Sequence, residues 1–362
     1  MKKVLYISPN NWDWIKQRPQ FIAEELTAYY DVEVLHPAKS ARLAYKSSPY
    51  DNRIEHISEV RWIPIVGRYK KTRFINEWIW KHAISKKLGE KKYDFIYLTS
   101  PRQVEYLPAQ IESEIIYDCM DNYIELTEGE EEKQYTDKCQ KAIIERARYT
   151  IASSDHLAKY LRNKYNVSNV YVVRNAFNNE NRRSLSDEGN DKTTSKSDRK
   201  VFMYIGTVSW WFDFEFILRS LKDFPNIEYW IAGPLHGVTI PDNERIKYLG
   251  VIAHSELEDT VVKSDCLIMP FKINELILAV DPVKLYEYID FHKNILCVEY
   301  PEIERFRDFV YFYTDYESYK AQIEIVSKSK YVKYTNEQRK AFIGQNTWKS
   351  RAAEISMIIE EK

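Results

Sequence analysis

Lys284 and Glu287 lie three residues apart in the segment Asp281-Pro-Val-Lys-Leu-Tyr-Glu287. Their setting combines a helix start with ligand-binding chemistry. Asp281 suits an N-cap, Pro282 suits the first helical position, and Val283, Tyr286 and Ile289 recur at helical spacing. Lys284 and Glu287 then share a face near the positive end of the helix dipole. Free amides and an ammonium there can hold phosphate oxygens. A carboxylate one turn deeper can accept hydrogen bonds from sugar hydroxyls. The competing reading is a capped surface helix whose lysine and glutamate pair with each other.

A second group of candidates lies in the first half. Asp118 and Asp121 fall where a strand over 114–117 ends. In an open parallel sheet that end faces the ligand crevice. Either carboxylate could accept a proton or orient a hydroxyl, and Asp121 has the freer position. The alternative is a pair of loop aspartates capping a turn. Arg18 follows the loop after the first strand, at the same end of the sheet. Its planar fork suits phosphate or carboxylate, and a surface ion pair is the other reading. Ser255 and Glu258 have capping-box spacing, with Ser255 at the N-cap. Residues 61–92 hold ten Lys and Arg against Glu77 and Glu90, interleaved with Trp62, Phe74, Trp78 and Trp80. That mixture suits an anionic membrane surface, the alternative being a solvated helix face.

The elements that must position these residues follow from pattern. Strands are expected at Lys3–Ser8, Asp31–Leu35, 95–98, 114–117, 149–152 and 170–173. Helices are expected at 20–29, 74–88, 131–146 and 155–165, giving a mostly parallel sheet covered on both faces. Residues 178–200 are almost wholly polar and are expected to form a mobile loop. The second half runs strand, Gly206 turn, helix, strand, Gly233-Pro234, strand, helix, strand and the Lys284 helix. The resulting domains are 1–177, a linker at 178–200, 201–335, and a terminal helix at 336–362.

Composition excludes several classes. The 362 residues suit two domains, and a net charge of -1 argues against nucleic-acid binding. The four cysteines have no metal-type spacing and read as buried free thiols of a reducing cytoplasm. Nine glycines include no G-x-G-x-x-G and no Walker P-loop. No apolar run is long enough to span a membrane, and the N-terminus reads as a strand rather than a signal peptide.

Taken in order, these motifs resemble the bacterial GT-B glycosyltransferases of the family-4 type that build surface polysaccharides, teichuronic-acid-type enzymes among them. The resemblance rests on Pro282-x-Lys-x-x-Glu-Tyr288 after the strand Asp265–Pro270, on Tyr248-Leu-Gly250-Val251-Ile, and on Lys200-Val-Phe-Met-Tyr-Ile-Gly206-Thr207-Val. It extends to Val4-Leu-Tyr-Ile-Ser, Trp14-Ile-Lys-Gln-Arg18-Pro-Gln, Ile116-Tyr-Asp118-Cys-Met-Asp121 and Arg174-Asn175-Ala-Phe, and so covers most of the chain.

The resemblance implies an α/β chain of two Rossmann-like parallel-sheet domains facing a cleft. A C-terminal helix would cross back to the first domain, with Trp348 as anchor. The first domain would bind the acceptor and the second the nucleoside-diphosphate sugar, at Gly206, Thr207, Gly250, Val251, Pro282, Val283, Lys284 and Glu287. Asp121 or Asp118 would be catalytic. Arg18 and Asn175 would serve phosphate or acceptor, Asn175 also lying at the hinge. It further implies metal-independent transfer with retention and no cofactor. The acceptor would be a glycan or lipid-linked, and the enzyme peripheral to the inner face of the cell membrane. Two features depart from the family. Ala176 stands for a glycine, and Trp210-Trp-Phe-Asp213 stands where an arginine and a lysine usually hold the diphosphate. A sugar-nucleotide epimerase and a non-catalytic partner subunit of the same fold are the alternatives.

Overall fold

The computed structural model describes residues 1–13, 16–38, 53–61, 63, 72–177 and 199–361. They form two compact units, one of Met1–Asn175 with Trp348–Lys362 and one of Ala176–Thr347. The polar segment expected as a mobile loop, Trp14, Trp62, Lys70 and Lys71 all lie outside the described residues, apart from Arg199 and Lys200 at that segment's end.

The first unit is built on seven parallel strands: β1 (Lys3–Ile7), β2 (Asp31–Pro37), β3 (His56–Val60), β4 (Phe95–Leu98), β5 (Glu114–Cys119), β6 (Tyr149–Ala152) and β7 (Val170–Val172). Their order is β3-β2-β1-β4-β5-β6-β7, so the chain reverses direction across the sheet between β1 and β4. β1 pairs Val4 with Val32 on one side and with Phe95 on the other. Its buried run Val4-Leu-Tyr-Ile7 is what a strand covered on both faces requires. The covering helices are α1 (Arg18–Leu26), α2 (Arg73–Glu90), the short α3 (Tyr123–Leu126), α4 (Glu130–Arg146) and α5 (Asp155–Tyr165).

The second unit repeats the plan with β8 (Lys200–Ile205), α6 (Phe214–Asp223), β9 (Ile227–Ala232), β10 (Ile246–Gly250), α7 (His254–Val261), β11 (Cys266–Met269), α8 (Glu275–Leu278), α9 (Val283–Asp290), β12 (Asn294–Val298), β13 (Val310–Tyr313), α10 (Tyr316–Lys328) and α11 (Asn336–Gln345). Its six parallel strands are ordered β10-β9-β8-β11-β12-β13, again reversing beside the first strand of the unit. Tyr229, at the heart of this core, bonds Ser220 at 2.7 Å and Tyr319 at 2.8 Å.

Three local expectations are corrected. The terminal helix is two helices, because the backbone leaves helical geometry at Asn346; α11 belongs to the second unit and α12 (Trp348–Glu360) to the first. Within the first unit, Trp348 stacks on Phe21 with centroids 5.2 Å apart and planes at 9°. Tyr149 donates to the Ile359 carbonyl at 3.2 Å, and Lys2 pairs with Glu360 at 2.8 Å. α7 begins at His254 with Ala253 in the cap position, so Ser255 falls inside the helix and not at its N-cap. Asp281 does not cap α9, which starts at Val283 after an extended Pro282.

Much of the basic patch is spent internally. Glu33 on β2 is buried and takes Lys87 at 2.5 Å, Lys91 at 2.6 Å and the Tyr93 hydroxyl at 2.6 Å. Arg73 pairs with Glu132 at 2.6 Å and lies over Tyr135. Trp80 is buried against Tyr106. Burial alone would raise the Glu33 pKa, but the hydrogen bonds from Lys87, Lys91 and Tyr93 outweigh it and hold the carboxyl at about 2. A carboxylate with a depressed folded-state pKa stabilises above its unfolded value and loses that contribution as pH falls towards 2. Urea midpoints of wild type and Glu33→Gln should therefore differ most above about pH 5, where Glu33 is ionised in both states, and converge as pH falls towards 2.

Candidate functional site

The carboxyl ends of β8, β9 and β10 form a glycine edge. Gly206 N donates to the Ala232 carbonyl at 2.8 Å, and Gly233 N donates to the Gly250 carbonyl at 2.7 Å. Gly206 has φ +140° and Gly233 φ +131°, values that side chains disfavour. A Cβ on Gly233 would meet the Gly206 carbonyl oxygen at 2.1 Å, so these two backbones touch only because neither residue has a side chain. A Cβ on Gly206 would meet Lys284 Cε at 2.1 Å, which places the lysine directly over the turn.

α9 is anchored from below. The buried Tyr288 hydroxyl accepts from Ile205 N at 3.0 Å, fixing the helix against the end of β8. Asp281 is buried and accepts from the Tyr286 hydroxyl at 3.2 Å while pairing with Arg305. That pair sets the entry to α9 by a contact 24 residues away in sequence, which helical spacing cannot reveal.

Lys284 and Glu287 are both partly buried, and neither side chain hydrogen-bonds or ion-pairs with any described residue. They do not pair with each other, unlike the competing reading of this helix. Burial lowers the Lys284 pKa, and the Glu287 charge opposes that shift. The ammonium lies 5.9 Å from the Tyr204 ring centre, and the Tyr204 hydroxyl donates to the Thr207 carbonyl at 2.8 Å. A half-desolvated cation with no ion-pair partner among the described residues can receive an anion. Gly250, at φ +70°, has open space where a Cβ would be, and Val251 beside it is exposed.

The first unit brings Arg18, Asp118 and Asn175 together. Arg18 donates from Nε to Asp118 Oδ2 at 3.0 Å and pairs through NH2 with Oδ1 at 2.9 Å. Its NH1 donates to the Arg174 carbonyl and to Asn175 Oδ1, each at 3.1 Å. Tyr97 adds a bond to Asp118 Oδ2 at 3.0 Å. Burial disfavours the Arg18 charge, but Asp118 more than offsets this and raises its pKa. The ion pair expected as the alternative for Arg18 is thus present, though buried rather than on the surface. Asp118, a candidate proton acceptor in the sequence, has no exposed surface and its carboxylate is committed to Arg18 and Tyr97.

Asp121 differs on both counts. It is partly exposed, and its carboxylate has no hydrogen-bond partner among the described residues. Burial pushes its pKa upward, with Arg18 opposing and Asp118 adding to the shift. Such a carboxylate is a stronger proton acceptor than an ordinary aspartate.

Trp210 is 53% exposed and meets Trp211 edge-on at 5.6 Å, while Phe212 is buried and Asp213 caps α6 through the Glu215 amide. Gly233, Tyr288 and Arg305 support the edge. Gly233, ahead of a proline after a strand, and Tyr288, at the end of the Pro282-x-Lys-x-x-Glu-Tyr288 motif, carried a signal in the sequence, and Arg305 did not.

No family model matches the chain, and neither does any curated protein. Solved structures do. The chain is similar to sucrose-phosphate synthase from Thermosynechococcus elongatus, at TM-score 0.73 and 12% identity over 100% of this chain and 99% of that one. It is similar to the lipopolysaccharide outer core galactosyltransferase WaaB at TM-score 0.67 and 12% identity, over 99% of each chain. It is also similar to Anabaena HepE, solved with UDP and glucose, at TM-score 0.65 and 12% identity over the whole of both chains. The chain therefore has the GT-B fold of two parallel-sheet α/β domains.

Replacing Gly206 by alanine should displace the Lys284 side chain and strain a backbone that favours glycine, costing about 1–3 kcal/mol of stability. A thermal unfolding scan with and without nucleoside diphosphate reads both effects. Unchanged Tm and unchanged ligand shift would remove the glycine edge from the site.

Proposed function

We propose that this protein is a glycosyltransferase that moves a sugar from a nucleoside diphosphate to a glycan or lipid-linked acceptor in cell-surface glycan synthesis. The observation that carries the reading is Lys284, a half-buried ammonium over the Gly206 turn with no hydrogen-bond or ion-pair partner among the described residues. UDP and glucose bound to HepE, of the same fold, support the ligand class.

In this reading Lys284 and the first amides of α9 hold the diphosphate and stabilise the charge it gains when the bond to the sugar breaks. Glu287 accepts hydrogen bonds from the ribose hydroxyls. Gly250 and Val251 lie beside the base, where the absence of a Cβ leaves room. Asp121 orients the acceptor hydroxyl and takes its proton as oxygen bonds to the sugar carbon. Arg18 and Asn175 then act by positioning Asp118 and the segment around it, not by touching phosphate. The diphosphate's charge is met by protein groups, and no metal ion is assigned a step.

A thermal-shift screen of UDP, GDP, dTDP and CMP sugars identifies the donor class. Lys284→Ala and Glu287→Ala should each weaken binding of the nucleotide so found by about 1–3 kcal/mol. Wild-type affinity in both folded variants would sink the donor assignment. Asp121→Asn should lower kcat about a hundredfold while nucleotide affinity holds. Because its pKa is raised, wild-type turnover should also fall with acidity at a pH above the ordinary aspartate range, a limb missing from the variant. A variant with the full wild-type rate would clear Asp121 of the role.

For the acceptor side, α2 exposes Phe74 and Trp78 (60% and 66%) one turn apart, with Lys81 and Lys86 exposed alongside. This face would dock on anionic lipid, burying the aromatics and leaving the lysines at the headgroups. Wild type should sediment with phosphatidylserine vesicles and be released by salt. Phe74→Ser with Trp78→Ser and Lys81→Glu should abolish sedimentation, and equal sedimentation would leave α2 a solvated face.

A further inference from the structure

A diphosphate carries more than one negative charge, and Lys284 is one cation. The loop after β11 brings a second cation to the same edge. Residues 207–213, which leave the Gly206 turn, are paired on both flanks. Val208 bridges Leu235 in parallel, and Phe212 bridges Phe271 in antiparallel. On the second flank Lys272 N donates to the Trp211 carbonyl at 2.7 Å, and Asp213 N donates to the Pro270 carbonyl at 2.8 Å. The Asn274 side-chain amide donates to the Lys272 carbonyl at 3.0 Å, while its oxygen takes the amides of Leu276 and Ile277 at 3.0 Å each. The Lys272 backbone is thereby held at both its amide and its carbonyl, three residues past the end of β11, the strand that pairs with β8 below Gly206.

Its side chain is free to act. Lys272 is exposed, and its ammonium neither hydrogen-bonds nor ion-pairs with any described residue. Arg305, which also serves this end of the sheet, is by contrast committed to Asp281 and Glu302. The chain from 270 to 284 therefore starts beside Trp211 with one unspent lysine and ends over Gly206 with another.

We propose that Lys272 is the second phosphate-binding cation of this site, holding the diphosphate together with Lys284. The proposal rests on the donor-site reading above. It makes the loop after β11, and not the loop after β8, the source of the second charge.

Isothermal titration of wild type, Lys272→Ala, Lys272→Arg and Lys284→Ala with UDP and UMP, GDP and GMP, and dTDP and dTMP tests it, at low and moderate salt. Lys272→Ala should bind the preferred diphosphate about tenfold more weakly and the matching monophosphate within about twofold, with a shallower salt dependence. Lys272→Arg should retain most of the diphosphate affinity. Lys272→Ala binding the diphosphate like wild type while Lys284→Ala is weakened overturns the proposal and leaves the donor site standing. Equal losses for mono- and diphosphate overturn it too, since a second phosphate would not be what Lys272 holds. If wild type binds none of the six nucleotides, the donor-site reading fails and this proposal with it.

Discussion

The buried pair of Arg18 and Asp118 is the interaction on which the first unit's functional end depends. It joins the start of α1, the end of β5 and the exit segment at Arg174 and Asn175 through one planar guanidinium. Removing one partner from such a pair strands the other charge in a place it cannot be hydrated, typically at about 3–5 kcal/mol. The pair also decides which aspartate is available. Because Asp118 is saturated by Arg18 and Tyr97, the proposed role in proton transfer is given to Asp121, three residues beyond, whose carboxylate has no hydrogen-bond partner among the described residues. Arg351 on α12 donates to the Asn175 carbonyl at 3.1 Å, so the exit segment is gripped from two helices at once.

The second unit uses contact rather than charge to shape its functional edge. Gly206 and Gly233 approach backbone to backbone, and Tyr288 locks α9 below them. Lys284 can then sit over a turn that has no side chain of its own. Asp281 and Arg305 neutralise each other at the helix entry, so their charges do not compete for an anion near Lys284. Polar groups are consumed around the rim, while the side chains of Lys284 and Glu287 have no hydrogen-bond or ion-pair partner among the described residues.

The central strands were legible in the sequence because they are buried on both faces: β4 and β6 match their expected spans residue for residue. β3 was not, since His56–Val60 is an edge strand with a largely exposed, polar pattern. The lysine–glutamate helix was readable from spacing, yet Asp281 was misread as its cap because Arg305, its partner, is distant in sequence. The same limit hid the Arg18–Asp118 pair, 100 residues apart, and the claim of Glu33 on Lys87 and Lys91. Local pattern shows where charges are, and only the fold shows which of them are already satisfied. That distinction shows Asp118 committed to Arg18, and shows Arg73, Lys87 and Lys91 of the basic patch already paired within the first unit.

The docking of α12 on the first unit gives the chain an unusual order of completion during synthesis. Domains generally fold as they leave the ribosome, N-terminal ones first. Here the surfaces of Phe21, Tyr30 and Tyr149 that α12 covers are made long before it, with Ser356 and Ile359 among their eventual partners. The second unit ends at Thr347, before α12 begins. The half begun first is therefore finished last, and until then it carries an open apolar seam of the sort that nascent-chain chaperones bind.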